Sequence, residues 1–149
     1  MAALPDDPTA FRVFNEIGII EQLGRHQFES VMPDGLKQSQ YTLLNHLVRQ
    51  DGEWSHVRLA NAFQVTKGAM TNTVQRLESR GLVQVIPDPN DGRGKLVSIT
   101  PAGRKMREAC IDNLGPILAE LLAEVPEADF ASILPVLEKL RAYLDSHRD

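Results

Sequence analysis

The chain has 149 residues, of which 42% are hydrophobic and 24% are charged, as in an ordinary soluble globular domain. Its single cysteine excludes an intramolecular disulfide and a cysteine-based zinc site. No apolar run approaches the roughly 20 residues that a membrane helix needs, and the acidic start lacks the layout of a signal peptide. We therefore expect a cytoplasmic protein without a membrane partner.

The net charge of −4 is unevenly distributed along the chain. Between Ser55 and Lys105 there are eight basic and three acidic residues, a balance of +5, which leaves −9 for the rest. A basic middle between acidic flanks indicates that the middle approaches phosphates and that the ends do another job.

The first half of the chain is predicted to be helical. Pro8 opens a long first helix with apolar residues at helical spacing, and the turn residues 33–35 close it. Ser39 is predicted to cap a second helix that ends before Asp51. Ser55 is predicted to start a short third helix.

Residues 64–65 then form a turn before Thr66, a good N-cap for a fourth helix that runs to about Arg80. Gly81 ends this helix as the C′ residue. A third helix, a turn and a polar fourth helix are the parts of a helix-turn-helix.

After the glycine the pattern becomes extended. Residues 82–86 and 95–99 are rich in β-branched and apolar types, and residues 87–94 are turn-forming throughout, which predicts a β-hairpin. Thr100 is predicted to cap a fifth helix with Pro101 at its first position.

The C-terminal part carries two apolar stripes at helical spacing, which predict two long amphipathic helices. The stripes comprise Leu114, Ile117, Leu118, Leu121, Leu122 and Val125, and then Phe130, Ile133, Leu134, Leu137, Leu140 and Leu144. A compact middle of roughly 36–99 is too small to bury them, so something else must cover them.

The fourth helix has the two faces of a recognition helix. Met70, Val74 and Leu77 fall on an inward face, while the opposite side carries short polar groups that pair with base edges. In the hairpin, Arg93 and Lys95 can reach phosphates or a narrow minor groove, and Asp91 can hold the guanidinium of Arg93. The candidate DNA-contacting residues are Lys67, Gly68, Thr71, Asn72, Gln75 and Arg76 of the helix, and Asp91, Arg93 and Lys95 of the hairpin.

The order of these elements, with Asp91, Arg93, Thr100 and Gly103 in an Asp-x-Arg and Thr-x-x-Gly pattern, resembles the multiple antibiotic resistance regulator (MarR) family. The resemblance covers nearly the whole chain. It implies a single domain over 1–149, mainly α with a β-hairpin wing: a winged helix-turn-helix at 36–99 between dimerisation helices at 8–33 and 100–147.

The function that this resemblance implies is sequence-specific transcriptional regulation. The partners are then a second copy of the chain and double-stranded DNA with a pseudo-palindromic operator, and a small aromatic effector releases the homodimeric repressor. Such effectors bind between the dimer helices and the DNA-binding part, where His26, Phe28, Tyr41 and Trp54 are candidate lining residues. No cofactor is implied.

Several alternatives stay beside this interpretation. The polar helix face is also compatible with solvent exposure, and the whole unit with a winged-helix module that binds another protein. The peroxide-sensing branch of the family that the chain resembles uses a cysteine in the first helix. Peroxide sensing is therefore disfavoured here, because Cys110 lies in the fifth helix. His26, His46 and His56 lack the spacing of a metal site, and no nucleophile–base pair or phosphate loop indicates an enzyme.

Overall fold

The computed structural model describes residues 4–148, and its elements follow the predicted order, except that one strand is added and the predicted fifth helix and the first apolar stripe form a single helix. The helices are α1 (Thr9–Ser30), α2 (Gln38–Arg49), α3 (His56–Phe63), α4 (Lys67–Ser79), α5 (Pro101–Glu124) and α6 (Glu127–Ser146). The strands are β1 (Trp54–Ser55), β2 (Val83–Pro87) and β3 (Lys95–Ile99), and a 3-10 turn at Pro33–Gly35 precedes α2. A mainly helical chain with a small antiparallel sheet confirms the predicted fold class.

The described chain forms two compact units, residues 4–113 and 114–148, with their boundary inside α5. The first contains the sheet and α1 to α4, and the second contains the end of α5 and all of α6. The predicted division into a winged helix at 36–99 and flanking dimerisation helices remains a prediction.

The core of the first unit is made by leucine and valine side chains from three helices and the sheet, together with Cys110 of α5. They are inaccessible to solvent because each helix turns its apolar stripe toward the same centre. The fully buried side chains are Leu36, Leu43, Leu44, Leu47, Leu59, Val74, Leu77, Val97 and Cys110.

Side-chain caps set the starts of three helices, as the sequence predicted. The hydroxyl oxygen of Ser55 accepts a hydrogen bond from the Arg58 N–H at 3.2 Å, and that of Thr66 accepts one from the Ala69 N–H at 3.1 Å. At the start of α5 the Thr100 hydroxyl oxygen accepts one from an N–H of the first turn. These bonds satisfy backbone donors that have no partner inside the helix.

Two boundaries differ from the prediction. Ser39 is not the cap of α2, which begins at Gln38, because the Gln38 N–H is satisfied by a Glu29 carboxylate oxygen at 3.1 Å and the preceding Lys37 N–H by the Gln40 side chain. Strand β2 begins one residue late because the Leu82 N–H closes the end of α4.

The sheet has the order β1-β3-β2 with both pairs antiparallel. The hairpin register places Val85 opposite Val97, and Trp54 lies opposite Val97 on the other side of β3. Strand β1 was not predicted, since two residues give no alternating pattern. It fixes the start of α3 against the hairpin.

Thr100 joins the end of α4, the hairpin and α5 at one point. Its hydroxyl donates to the carbonyl oxygen of Gly81 at 2.7 Å and accepts from the Gly103 N–H at 3.0 Å, and its own N–H donates to the Leu82 carbonyl oxygen at 3.2 Å. Gly81 has φ +72°, a left-handed conformation that favours glycine. A Cβ on Gly103 would lie 2.1 Å from the Leu82 carbonyl oxygen and 2.7 Å from Ile99 Cγ1.

We expect Gly103→Ala to lower the free energy of unfolding by at least about 2 kcal/mol, because the methyl group meets backbone that cannot move without breaking the junction. Gly68→Ala is the matched control, since it lies in a helix and its added methyl group would meet nothing within 4 Å. It should stabilise the protein by up to about 1 kcal/mol. Denaturant unfolding of both variants measures the difference, and equal effects would contradict this packing.

Candidate nucleic-acid interface

Helix α4 presents the polar face that the sequence predicted. Met70, Val74 and Leu77 are buried on its inner side. On its outer side Thr71 is half-buried, and the other predicted contact residues are exposed: Lys67, Gly68, Asn72, Gln75 and Arg76. The inner residues hold the helix on the core, so the outer groups are free to meet a ligand.

The turn between α3 and α4 fixes the orientation of the polar face. Gln64 adopts the left-handed conformation with φ 54°, and the Val65 N–H donates to the carbonyl oxygen of Ala60 at 3.0 Å. This is an αL ending of α3, after which Thr66 at once caps α4. The two helices therefore meet in a tight helix-turn-helix.

The wing is a hairpin whose tip is held by its own backbone and by two aspartates. The Asp88 N–H donates to the Gly94 carbonyl oxygen at 2.9 Å, and its carboxylate accepts from the Asn90 N–H at 2.8 Å. The carboxylate of Asp91 accepts from the Arg93 N–H at 3.0 Å. These bonds order the tip without help from another element.

The predicted bond between Asp91 and the guanidinium of Arg93 is wrong. An aspartate readily accepts a hydrogen bond from the backbone N–H two residues further along the chain, which forms an Asx-turn. Here Asp91 Oδ1 accepts from the Arg93 N–H and not from its guanidinium. In the described part of the chain the Arg93 guanidinium has no ion pair. The arginine is therefore available to an external anion.

A cleft of about 580 Å³ separates α4 from the wing, and it gathers most of the predicted DNA-contacting side chains. We call it the wing cleft. Six predicted residues line it, namely Lys67, Thr71, Gln75, Asp91, Arg93 and Lys95, together with Ser55, His56, Val57, Val74, Glu78, Val85, Asp88 and Gly94. Gly68, Asn72 and Arg76 are not among its lining residues.

Asn72 and Arg76 interact with each other one helical turn apart. The Arg76 Nε lies 3.4 Å from the Asn72 Oδ1 at an exposed position. So long a hydrogen bond is weak, and an incoming base edge can replace it. Asn72 also lines a second cavity of about 560 Å³ between α1, α2 and α4.

His56 also lines the wing cleft, although the sequence pattern did not indicate it as a DNA-contacting candidate. It is the first residue of α3, and the sequence offered no signal that it faces α4 and the wing. Burial lowers its pKa, and the charges of Lys67 and Lys95 lower it further against an opposing effect of Glu78. The imidazole is therefore neutral at pH 7 in the free protein.

The candidate effector-binding residues fall into separate places. Phe28 and Tyr41 form a ring pair with centroids 4.9 Å apart, whereas Trp54 stacks edge-on with His46 at 4.5 Å. His26 is exposed on α1. The structure thus brings two of the four together.

The Trp54 cluster borders a cavity of about 370 Å³, which we call the histidine cavity. It is lined by Thr42, Asn45, His46, Arg49, Gln50, Trp54 and Phe63. The Nε2 of His46 is closed to solvent and has no hydrogen-bond partner among the described residues. Burial lowers the pKa of His46, with Arg49 and Arg58 adding to the effect. A neutral imidazole and an arginine face an aromatic wall.

Other expectations concern isolated residues. Cys110 is fully buried, and burial raises the pKa of its thiol, which disfavours the reactive thiolate. Among residues 4–148 no three His, Cys, Asp or Glu side chains cluster as metal ligands. No helix within that range is long and apolar enough to cross a membrane.

Proteins that resemble this chain in sequence and in fold include transcriptional regulators. The profile of the MarR family matches residues 34–94. The multiple antibiotic resistance protein MarR of Salmonella typhimurium is 35% identical over 92 residues, which cover 62% of this chain and 64% of that protein's length.

Two solved structures are similar over most of the fold. The MarR of Escherichia coli, as a cysteine-to-serine mutant complexed with operator DNA, has a TM-score of 0.72 and 28% identity over 86% of this chain and 92% of that one. BpsR of Bordetella bronchiseptica, whose DNA binding is regulated by 6-hydroxynicotinic acid, has a TM-score of 0.73 and 27% identity over 87% and 98%.

Proposed function

Because the chain belongs to the MarR family, we propose that it is a homodimeric transcriptional regulator that binds a pseudo-palindromic operator and is released by a small aromatic effector. One observation carries the DNA-binding part. The exposed polar face of α4 adjoins a cleft whose wing offers Arg93, which has no ion pair among the described residues. Catalysis has no part in this proposal.

Helix α4 is proposed to read bases in the major groove. Asn72 and Gln75 have amides that can bond an adenine edge at two points, and Thr71 can contact a thymine methyl group. Gly68 leaves room for the backbone to approach the DNA, since a Cβ at this position would have no neighbour within 4 Å. Lys67 and Arg76 lie exposed beside these groups and can neutralise phosphates.

The wing is proposed to add affinity. Arg93 can enter a narrow minor groove, where the negative potential is enhanced, while Lys95 neutralises a phosphate. The Asx-turn at Asp91 orders the backbone of Arg93 before DNA arrives. Pre-ordering of the tip lowers the entropy cost of binding.

A second copy of the chain is proposed to cover the apolar residues that each unit leaves exposed. In the second unit no described residue of α6 is buried, and Leu134 and Val136 are 54% and 65% exposed. In the first unit α1 has no buried residue, and Ile20 is 63% exposed. Faces this apolar usually belong to interfaces.

A twofold dimer matches a two-part DNA site. Its two α4 helices would read half-sites separated by about one helical turn, roughly 10 base pairs. The operator would accordingly be a pseudo-palindrome.

The effector is proposed to be an aromatic carboxylate that binds in the histidine cavity. Trp54 and Phe63 offer aromatic surface, and Arg49 offers a cation for the carboxylate. The Nε2 of His46, which has no hydrogen-bond partner among the described residues, offers a hydrogen bond. The regulation of BpsR by 6-hydroxynicotinic acid supports this ligand class. The ring pair of Phe28 and Tyr41 is the alternative binding surface for the effector.

We expect Asn72→Ala and Arg93→Ala to affect DNA binding differently. Loss of the amide should cost about 1–3 kcal/mol on a preferred duplex and relax discrimination at one position of each half-site. Loss of the guanidinium should weaken binding to most sequences and make the salt slope shallower by about one unit per lost phosphate contact.

The measurement is a salt titration of both variants on a duplex selected from a random pool and on its scrambled form. Each variant is the other's control. A protein-binding module would show no such dependence on salt, because packing between proteins releases no condensed counterions. Equal weakening of both duplexes by Asn72→Ala would contradict the role of α4.

We expect the double change of Leu137 and Leu140 to Glu to break the dimer. Two unpaired carboxylates in an apolar interface should cost about 3–5 kcal/mol of association free energy. Light scattering measures the mass. The control is Lys139→Glu, which lies between the two leucines in sequence but points to the opposite side of the helix. This variant should remain dimeric. A double variant that also stays dimeric would show that α6 is not the interface.

We expect 6-hydroxynicotinate or benzoate to release the protein from its selected duplex, with Arg49→Gln weakening this response by roughly tenfold through loss of a charge-assisted hydrogen bond. Tyr41→Phe keeps the ring contact with Phe28 and should respond like the wild type. The reverse pattern would move the effector to the Phe28 and Tyr41 pair. Fluorescence anisotropy of a labelled duplex measures the release.

A further inference from the structure

We infer that the wing cleft holds a backbone phosphate of the bound duplex and that His56 binds this phosphate as an imidazolium, so that DNA binding takes up a proton. This inference rests on the proposed function, and it adds to it a proton-linked phosphate site that the sequence analysis did not contain. The ligand class is a phosphodiester of double-stranded DNA.

The position of His56 is set by its neighbours on both sides. Ser55 pairs with Leu96 of β3 and caps α3, so the first residue of that helix must sit between the sheet and α4. The imidazole is half-buried in the wing cleft. Within the described part of the chain it has no side-chain hydrogen bond or ion pair, which leaves both ring nitrogens for a ligand.

The charges that face His56 come from α4 and the wing. Lys67 and Glu78 belong to α4, and the wing contributes the cations Arg93 and Lys95 and the anions Asp88 and Asp91. Both aspartates already accept backbone N–H bonds at the tip. These hydrogen bonds leave both carboxylates charged, so the lining charges cancel while His56 is neutral, and its protonation gives the wing cleft a net positive charge that attracts an anion.

A phosphate is the anion that a DNA-binding protein meets most often. Half to two-thirds of protein–DNA hydrogen bonds go to phosphate and sugar, and these contacts set the register of a recognition helix in its groove. The wing cleft lies directly beside the polar face of α4. A phosphate there would fix the position from which Thr71 and Gln75 reach the bases.

The direction of the proton linkage follows from the charges. In the free protein burial, Lys67 and Lys95 hold the pKa of His56 below its usual value of 6.5. A phosphate beside the ring favours the charged form and raises that pKa in the complex. Affinity is then highest below the pKa of the free protein and falls as the pH rises toward the pKa of the complex.

The test is the pH dependence of binding to the selected duplex at constant ionic strength. The affinity of the wild-type dimer should fall by up to about a hundredfold per pH unit in the steepest part of this window, about tenfold for each of the two protomers that takes up one proton. His56→Gln should remove this dependence and bind with the weak affinity of the high-pH form. His56→Lys carries a permanent charge and should bind tightly throughout. Calorimetry in two buffers of different ionisation enthalpy should detect proton uptake by the wild type and not by His56→Gln.

His147→Gln is the matched control, because His147 is exposed after the end of α6 and does not line the wing cleft. It should keep the wild-type pH profile. If His56→Gln and His56→Lys both retain the wild-type profile, the inference is overturned while the proposed function stands. If selection from the random pool yields no duplex that the wild type binds at any pH, the proposed function fails and the inference fails with it.

Discussion

The hydrogen bonds of Thr100 are the constraint on which the DNA-binding half of the molecule depends. One hydroxyl joins the carbonyl that ends α4 to the first turn of α5, and the adjacent N–H joins the start of β2. Gly103 permits this because it lets helix backbone lie against strand backbone. The angle between α4 and the wing, and with it the width of the wing cleft, follows from this junction.

Electrostatics at the interface depend on which carboxylates are already engaged. Asp88 and Asp91 bond the backbone of their own loop, so they order the wing tip and are not spent on Arg93. The acidic and basic residues that line the wing cleft are equal in number when His56 is neutral, so their formal charges cancel. The half-buried imidazole of His56 can add one positive charge to this balance when an anion arrives.

Local chemistry was predictable and distant contacts were not. Ser55, Thr66 and Thr100 cap helices through bonds to residues three positions away, so the sequence alone could identify them. Strand β1 and the cleft-facing position of His56 both depend on a hairpin some forty residues further along the chain. The choice of the Arg93 N–H over its guanidinium is a matter of turn geometry that spacing does not reveal. The polar outer side of α4 was predictable because burial and polarity alternate along the helix itself.

We propose that effector and DNA are connected through one aromatic ring. Phe63 ends α3 and lines both the histidine cavity and the second cavity, whose wall includes Met70 and Asn72 of α4. The ring also packs edge-on against His46 at 5.1 Å. A ligand that displaces this ring from His46 must change the wall against which the first turns of α4 rest. Because packed side chains shift together rather than locally, we expect the amide of Asn72 to move with this wall. Release of DNA then needs no direct contact between the effector and the recognition face.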